Sequence, residues 1–147
     1  MLTTSPEAIP ELASRLRLAV TRTARRMRQQ ADLSLSPTAI AALATIERAG
    51  PVSPSELARL ERVQRPTATR AAARLVADGL VERLPDQSDA RAARLRITGE
   101  GRRVLRSLRS RKTAYLARRM EHLAAEEREV LARASEILER MLAEEDR

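Results

Sequence analysis

Pro66, Thr67, Thr69, Arg70 and Arg74 bring hydroxyl and guanidinium groups together on one side of a short helical stretch. Groups of this kind break no covalent bond; they donate hydrogen bonds to base edges and to phosphates. A helix that enters the major groove needs small residues at its N-terminal end, polar donors beyond them, and no bulky apolar group in the way. The plainer alternative is a hydrated helix surface that carries arginines, since charged faces are mostly just solvated. On the opposite side, Ala68, Ala71, Ala72 and Leu75 recur at i, i+3, i+4 and i+7, which marks a buried stripe.

A further arginine stands out downstream. Arg91 follows Asp89 by two residues in the turn-rich stretch PDQSDAR (85–91). That stretch separates LVERL (80–84) from ARLRI (93–97), in which Ala93, Leu95 and Ile97 alternate with Arg94 and Arg96. A period of two predicts a half-buried strand, so the segment reads as a hairpin. Asp89 is placed to orient the Arg91 guanidinium near the tip, where an arginine suits the narrow, electronegative minor groove. An ordinary surface hairpin is the competing reading, which the order helix-turn-helix then hairpin disfavours.

The elements that must hold these groups can be read in turn. Ser53, Pro54 and Glu56 form a capping box with proline in the first turn, and Leu57, Ala58 and Leu60 are expected to face inward. The chain turns through Glu61, Arg62, Val63 and Gln64, and Pro66 starts the next helix near Arg65. Gly79 stops it. Before this unit, Ser36-Pro37 begins a helix to about residue 49, with Ile40, Leu43, Ala44 and Ile46 inward and Gly50 as its left-handed stop. Pro51-Val52 leaves room only for a sheet-edge fragment. After the hairpin, Thr98 caps a helix to about residue 123, with Gly99, Glu100 and Gly101 in its first turn.

Three long amphipathic helices remain. The first runs over residues 6–31 with Leu12, Leu16, Ala19, Val20, Thr23 and Met27 on one face; residues 1–5 before it are expected to be loose. The second is the Thr98-capped helix, with Leu105, Leu108, Leu116 and Met120 as its stripe and Arg102, Arg103, Arg106, Arg109 and Arg111 either extending a phosphate-contacting surface or simply solvated. The third begins at 124–127 and carries Val130, Leu131, Ala134, Ile137, Leu138, Met141 and Leu142 on its apolar face. Together they offer more apolar surface than the small central domain covers. A second copy would bury it through Leu12, Leu16, Val130, Ile137, Leu138 and Met141, and a two-fold dimer would set two recognition helices ~34 Å apart on a palindromic site. The alternative is that these helices pack on each other within one chain.

Composition narrows the function classes. The 147 residues support one domain with helical extensions, and 43% hydrophobic content suffices for an aliphatic core around a lone Tyr115. The net charge is +8, carried by arginine apart from Lys112. It is uneven: residues 61–111 hold 13 basic and 6 acidic side chains, while residues 117–147 hold 6 basic and 9 acidic. The positive field lies on the two-helix unit and suits a polyanion, with steep salt dependence. The absence of cysteine removes disulfides, thiolate metal sites and thiol redox sensing. One histidine, His122, beside Glu121 makes no metal site, and four glycines without a phosphate-binding loop leave no catalytic constellation. No enzyme, metal or cofactor is therefore expected. No apolar run approaches ~20 residues, and the first residues lack the pattern of a signal peptide, so a cytoplasmic location is expected. A non-specific nucleic-acid packaging or RNA-binding protein would also be basic and helical, but RNA modules use exposed aromatics for stacking, and this chain has no Phe or Trp.

The segments LARLERVQRPTATRAAARLVADGLVERL (57–84), PDQSDAR (85–91) and LRITGEGR (95–102) resemble the MarR family of bacterial winged helix-turn-helix transcription regulators. The likeness extends over about residues 8–143. It implies a mainly α fold with a small β-hairpin wing, in which a DNA-binding lobe (36–98) is flanked by helical dimerisation regions (6–31 and 99–145). It also implies a homodimer on pseudo-palindromic double-stranded operator DNA, commonly a repressor released by a small ligand. Arg70 and Arg74 match the family's recognition-helix arginines. Gln64, Arg65, Pro66, Thr67 and Thr69 stand in its contacting region, Arg91 at its wing tip, and Asp89 at the acid that positions it. Ala90 departs from the second basic residue often found there. An aromatic effector would find only Tyr115 and His122 as anchors.

Overall fold

A computed structural model describes residues 8–31, 34–85 and 93–145. The elements follow the order α1 (Ile9–Ala31), α2 (Pro37–Ala49), α3 (Pro54–Glu61), α4 (Arg65–Ala77), β1 (Val81–Pro85), β2 (Ala93–Ile97), α5 (Gly99–Met120) and α6 (Ala125–Glu145). It is a mainly helical fold with one antiparallel hairpin, paired Val81 to Ile97 through Pro85 to Ala93. Val52 adds a single bridge to Leu95, the sheet-edge fragment expected at that position. Pro6, Leu33, Asp89, Ala90 and Arg91 lie outside the described residues.

Local chemistry sets the helix starts. The Ser36 hydroxyl accepts the Ala39 N–H at 3.2 Å. Ser53 and Glu56 form the reciprocal box, with the Ser53 N–H on Glu56 Oε2 at 2.9 Å and the Glu56 N–H on Ser53 Oγ at 3.1 Å. Thr98 joins two elements: Oγ1 accepts the Gly101 N–H at 3.1 Å and donates to the Gly79 carbonyl at 2.7 Å.

The core is aliphatic and lies between α2, α3, α4, the hairpin and the first half of α5. Leu43, Ile46, Leu57, Leu75, Leu95 and Leu105 fill it. The stripe Ala68, Ala71, Ala72 and Leu75 is buried as its spacing requires. Outside this lobe, α1 packs along α5, so the first long helix finds an intrachain partner distant in sequence. Arg111 secures the pairing by donating to the Ala31 carbonyl at 2.9 Å, and Arg109 meets Glu47 at 2.9 Å. These two arginines therefore serve the junction between lobe and long helices. Helix α6 buries none of its residues against the rest of the chain.

Several expected boundaries and faces shift. The first helix starts at Ile9, and residue 8 before it is not helical. Leu60 is 40% exposed and does not join Leu57 and Ala58 in the core. Gly50 has a positive φ of 76° but a ψ of −161°, an extended conformation rather than the left-handed helical one. The first strand begins at Val81, one residue later than its apolar run suggests. Helix α5 stops at Met120 instead of 123.

Candidate nucleic-acid interface

Helix α4 reaches the surface at its N-terminal end. Gln64 is its N-cap by backbone geometry but makes no side-chain capping bond, so its amide stays available to another partner. Gln64, Arg65, Pro66, Thr69, Arg70 and Arg74 are exposed and Thr67 is half-buried. Among residues 64–69 at the tip, no apolar side chain is bulkier than proline. Arg74 is held by Asp78 one turn on, Nε to Oδ2 at 2.8 Å. Thr67, Arg70 and Arg74 face Ser36 and Thr38 of α2 across a cleft of about 260 Å³. Two guanidiniums and two flanking hydroxyls, with no carboxylate among the lining residues, suit a phosphate. Thr38 carries no signal in the sequence, because its partners lie about thirty residues away on another helix.

The turn before α4 is set by a polar contact in the lobe. Arg62 closes α3 in the left-handed region (φ 53°), the one non-glycine residue with positive φ among those described. Just before it, Glu61 accepts a hydrogen bond from the Thr45 hydroxyl of α2. Thr45 is 2% exposed and is the one buried polar residue among those described. The bond ties the end of α3, and so the angle at which α4 leaves the turn, to the core helix α2. Thr45→Val keeps the shape and leaves the half-buried Glu61 carboxylate without its donor. Stability is expected to fall by about 1–2 kcal/mol, read as a lower urea midpoint with unchanged slope.

The hairpin is anchored at its base. Arg94 Nη2 donates to the Pro51 carbonyl at 2.6 Å and lies 3.5 Å from Glu56 of the α3 capping box. Arg96 Nε meets Glu82 across the strands at 2.7 Å. Both arginines of β2 are thus engaged within the fold. In the first turn of α5, Arg103 hydrogen-bonds Glu100; that bond, ahead of the residual charge attraction, holds the Glu100 carboxyl below the usual carboxylate range. This pair is exposed and serves the helix start.

A sequence model of the MarR family matches residues 35–93, from the approach to α2 to the first residue of β2. An uncharacterized HTH-type transcriptional regulator of Mycobacterium leprae is 33% identical over 136 residues, covering 90% of this chain and 94% of that protein. An HTH-type transcriptional regulator of Mycobacterium tuberculosis is 34% identical over 128 residues, 86% of this chain and 90% of its own. The chain belongs to the MarR family. Among solved structures, a MarR family protein from Bacillus stearothermophilus superposes with a TM-score of 0.77 at 24% identity, covering 92% of this chain and 95% of that one. A transcriptional regulator of Thermotoga maritima gives 0.74 at 27% identity, with 94% and 99% covered. The winged helix-turn-helix expected from α3, α4 and the hairpin is therefore the observed fold, and the protein is a MarR-family transcriptional regulator.

Tyr115 and His122 of this MarR-family chain lie outside the cleft between α2 and α4. Tyr115 lines a cavity between α1, α5 and α6, and the Arg119 guanidinium lies 5.5 Å from its ring centroid. His122 is exposed in the turn after α5 and is not part of that lining. Among the described residues, no group of His, Cys, Asp or Glu could hold a metal ion, and no helix is long and apolar enough to cross a membrane.

Proposed function

We propose that this MarR-family regulator is a homodimeric repressor that reads a pseudo-palindromic operator through α4 and is released by a small ligand. The observation that carries the DNA-facing assignment is the cleft in which Arg70, Arg74 and Thr67 of α4 meet Ser36 and Thr38 of α2. Guanidinium and hydroxyl groups of the kind that bind phosphate lie there beside a helix tip free of bulky apolar groups, which supports a major-groove reading. Gln64, Arg65, Pro66 and Thr69 share that exposed tip, and Asp89 and Arg91 are assigned to the wing by resemblance. The dimer is supported by apolar side chains that one chain leaves uncovered: Leu12, Leu16, Val130, Ile137 and Met141 are exposed and Leu138 is half-covered. The lobe between α2 and β2 then binds DNA, while the helices before residue 32 and after residue 98 join the copies. The repressing sign and ligand release follow the family resemblance.

The test is selection of bound genomic DNA by purified protein at two salt concentrations. One inverted repeat with half-sites about one turn apart supports the reading. Binding without a motif and with a steep salt slope overturns it in favour of non-specific packaging. On the selected operator, Arg70→Ala is expected to weaken affinity about 10- to 100-fold with the dimer intact, the ordinary range for one lost base or phosphate contact. Arg91→Ala is expected to act in the same direction. If both variants bind like the parent, the DNA-facing surface lies elsewhere.

A further inference from the structure

At the joint between the lobe and the long helices, two arginines of α5 reach in different directions. Arg109 Nη1 donates to Glu47 Oε1 at 2.9 Å, in the last turn of α2. Arg111 Nη1 donates to the Ala31 carbonyl at 2.9 Å, where α1 ends. At 100° per residue they leave α5 about 160° apart, on opposite flanks. The Arg111 bond holds one long helix to another. The Arg109 bond reaches into the lobe, and among the described residues it is the one ion pair between α5 and the lobe.

Packing sets the angle of this joint only in part. Leu105 lies in the lobe core, and Leu108 is the last buried residue along α5. Beside Leu108 is a hollow of about 230 Å³, bordered also by Ala31, Leu35 and Ile40. A joint with unfilled space lacks the contacts that would hold it rigid. Neither Arg109 nor Glu47 borders the hollow, so their ion pair spans the joint on a separate flank.

A small tilt matters to a protein that reads two half-sites. Helix α2 is ~20 Å long at 1.5 Å per residue, so a tilt of about 10° carries one end about 3 Å relative to the other. That is close to the ~3.4 Å rise of one base pair. Ala39 and Leu43 of α2 share one core with Ala68 and Leu75 of α4, so α4 turns with α2.

We propose that the Arg109–Glu47 ion pair sets the lobe angle and thereby the spacing between operator half-sites that the protein prefers. The two act as positioning residues, and the inference rests on the dimeric, two-half-site reading of the operator. Direct contact between Arg109 and a phosphate is the competing role, and charge separates the two. Arg109→Gln lowers the net charge of +8 by one, whereas Glu47→Gln raises it by one. Direct contact would make the first variant bind more weakly at every spacing and the second no weaker at any. A positioning pair makes the two variants alike.

The test uses the selected operator rebuilt with its half-sites one or two base pairs closer or farther apart. Full-length parent, Arg109→Gln, Glu47→Gln and the reversed pair, Arg109→Glu with Glu47→Arg, are titrated on each. The parent is expected to favour one spacing. Each single variant is expected to lose about tenfold of that preference, about threefold per lobe, since a partly exposed ion pair biases an equilibrium only a few-fold. The reversed pair is expected to regain most of it. Melting temperatures are expected to stay within about 3 °C of the parent, because the two side chains are 54% and 27% exposed. A loss in Arg109→Gln that is equal at all spacings overturns the positioning role in favour of direct contact. Relaxed spacing that the reversed pair does not repair overturns the ion pair as its cause. A parent indifferent to spacing overturns the two-half-site reading and this inference with it, whereas a sharp preference that both single variants keep overturns this inference alone.

Discussion

Gly101→Ala is expected to destabilise the protein by about 3 kcal/mol, although alanine is the better helix former. Gly101 is buried in the first turn of α5. A Cβ built there falls 2.2 Å from the Leu80 carbonyl oxygen and 2.7 Å from Ile97 Cγ1. Neither neighbour can give way cheaply. The Leu80 carbonyl accepts the Thr98 N–H at 3.0 Å, and Ile97 is a strand residue in register with Val81. Backbone displacement would break the junction where α4 ends, the hairpin closes and α5 begins. Gly99, two residues earlier, supplies the control, because a Cβ there meets nothing within 4 Å. Gly99→Ala is expected to leave stability unchanged or raise it by about 0.5 kcal/mol. Thermal melts at one fixed protein concentration check both, with a fall of about 10 °C expected for Gly101→Ala alone. Equal melting temperatures for the two variants would remove the packing argument.

The same glycine marks the limit of what the sequence discloses. Its place in a first helical turn is written locally, by Thr98 and by the residues that follow. Its contact with Leu80 is written nowhere near it. Features that depend on neighbours within four residues were legible: the Ser53–Glu56 box, the prolines in first turns, the alanine stripe of α4 and the alternation of β2. A boundary settled by a bond to another element, or by the shape of a contact, is not written in the local sequence. Leu80 reads as the start of a strand, but its N–H goes to the Leu75 carbonyl at 2.9 Å while Gly79 bonds Val76. Leu80 thus completes the helix stop, and β1 starts one residue later. Leu60 follows Leu57 by one helical step of three. The buried arc of α3, however, is centred between Leu57 and Ala58, so Leu60 sits about 110° off that centre. The end of α5 had no glycine or proline to announce it; the break comes from Glu127, whose carboxylate accepts the Ala124 N–H at 2.8 Å and starts α6. In the candidate site, the α4 side chains were legible from spacing. Thr38 and the cavity beside Tyr115 were not, since each is assembled from helices far apart in the chain.

Replacing Ile137 and Met141 together by glutamate is expected to lower operator affinity by about 100-fold or more while leaving the fold intact. Both residues lie on the uncovered face of α6, 47% and 55% exposed. Because Ile137 and Met141 are exposed and no residue of α6 is fully buried within its own chain, the charges meet water in a single copy and carry little penalty there. In a seam between two copies they would be desolvated opposite apolar side chains, which is strongly unfavourable. Such a seam would also have an electrostatic preference: α1 is rich in arginine and α6 in glutamate, so α6 of one copy would lie more favourably against α1 of the other than against its own kind. Loss of the dimer removes the second recognition helix and with it the gain from binding two half-sites at once. Sedimentation equilibrium, circular dichroism and operator titration separate the steps: monomer mass, unchanged helicity and weakened binding are expected together. A variant that remains dimeric would move the seam off α6. A monomer that binds as tightly as the parent would show that one α4 suffices, and the palindromic reading of the operator would fall with it.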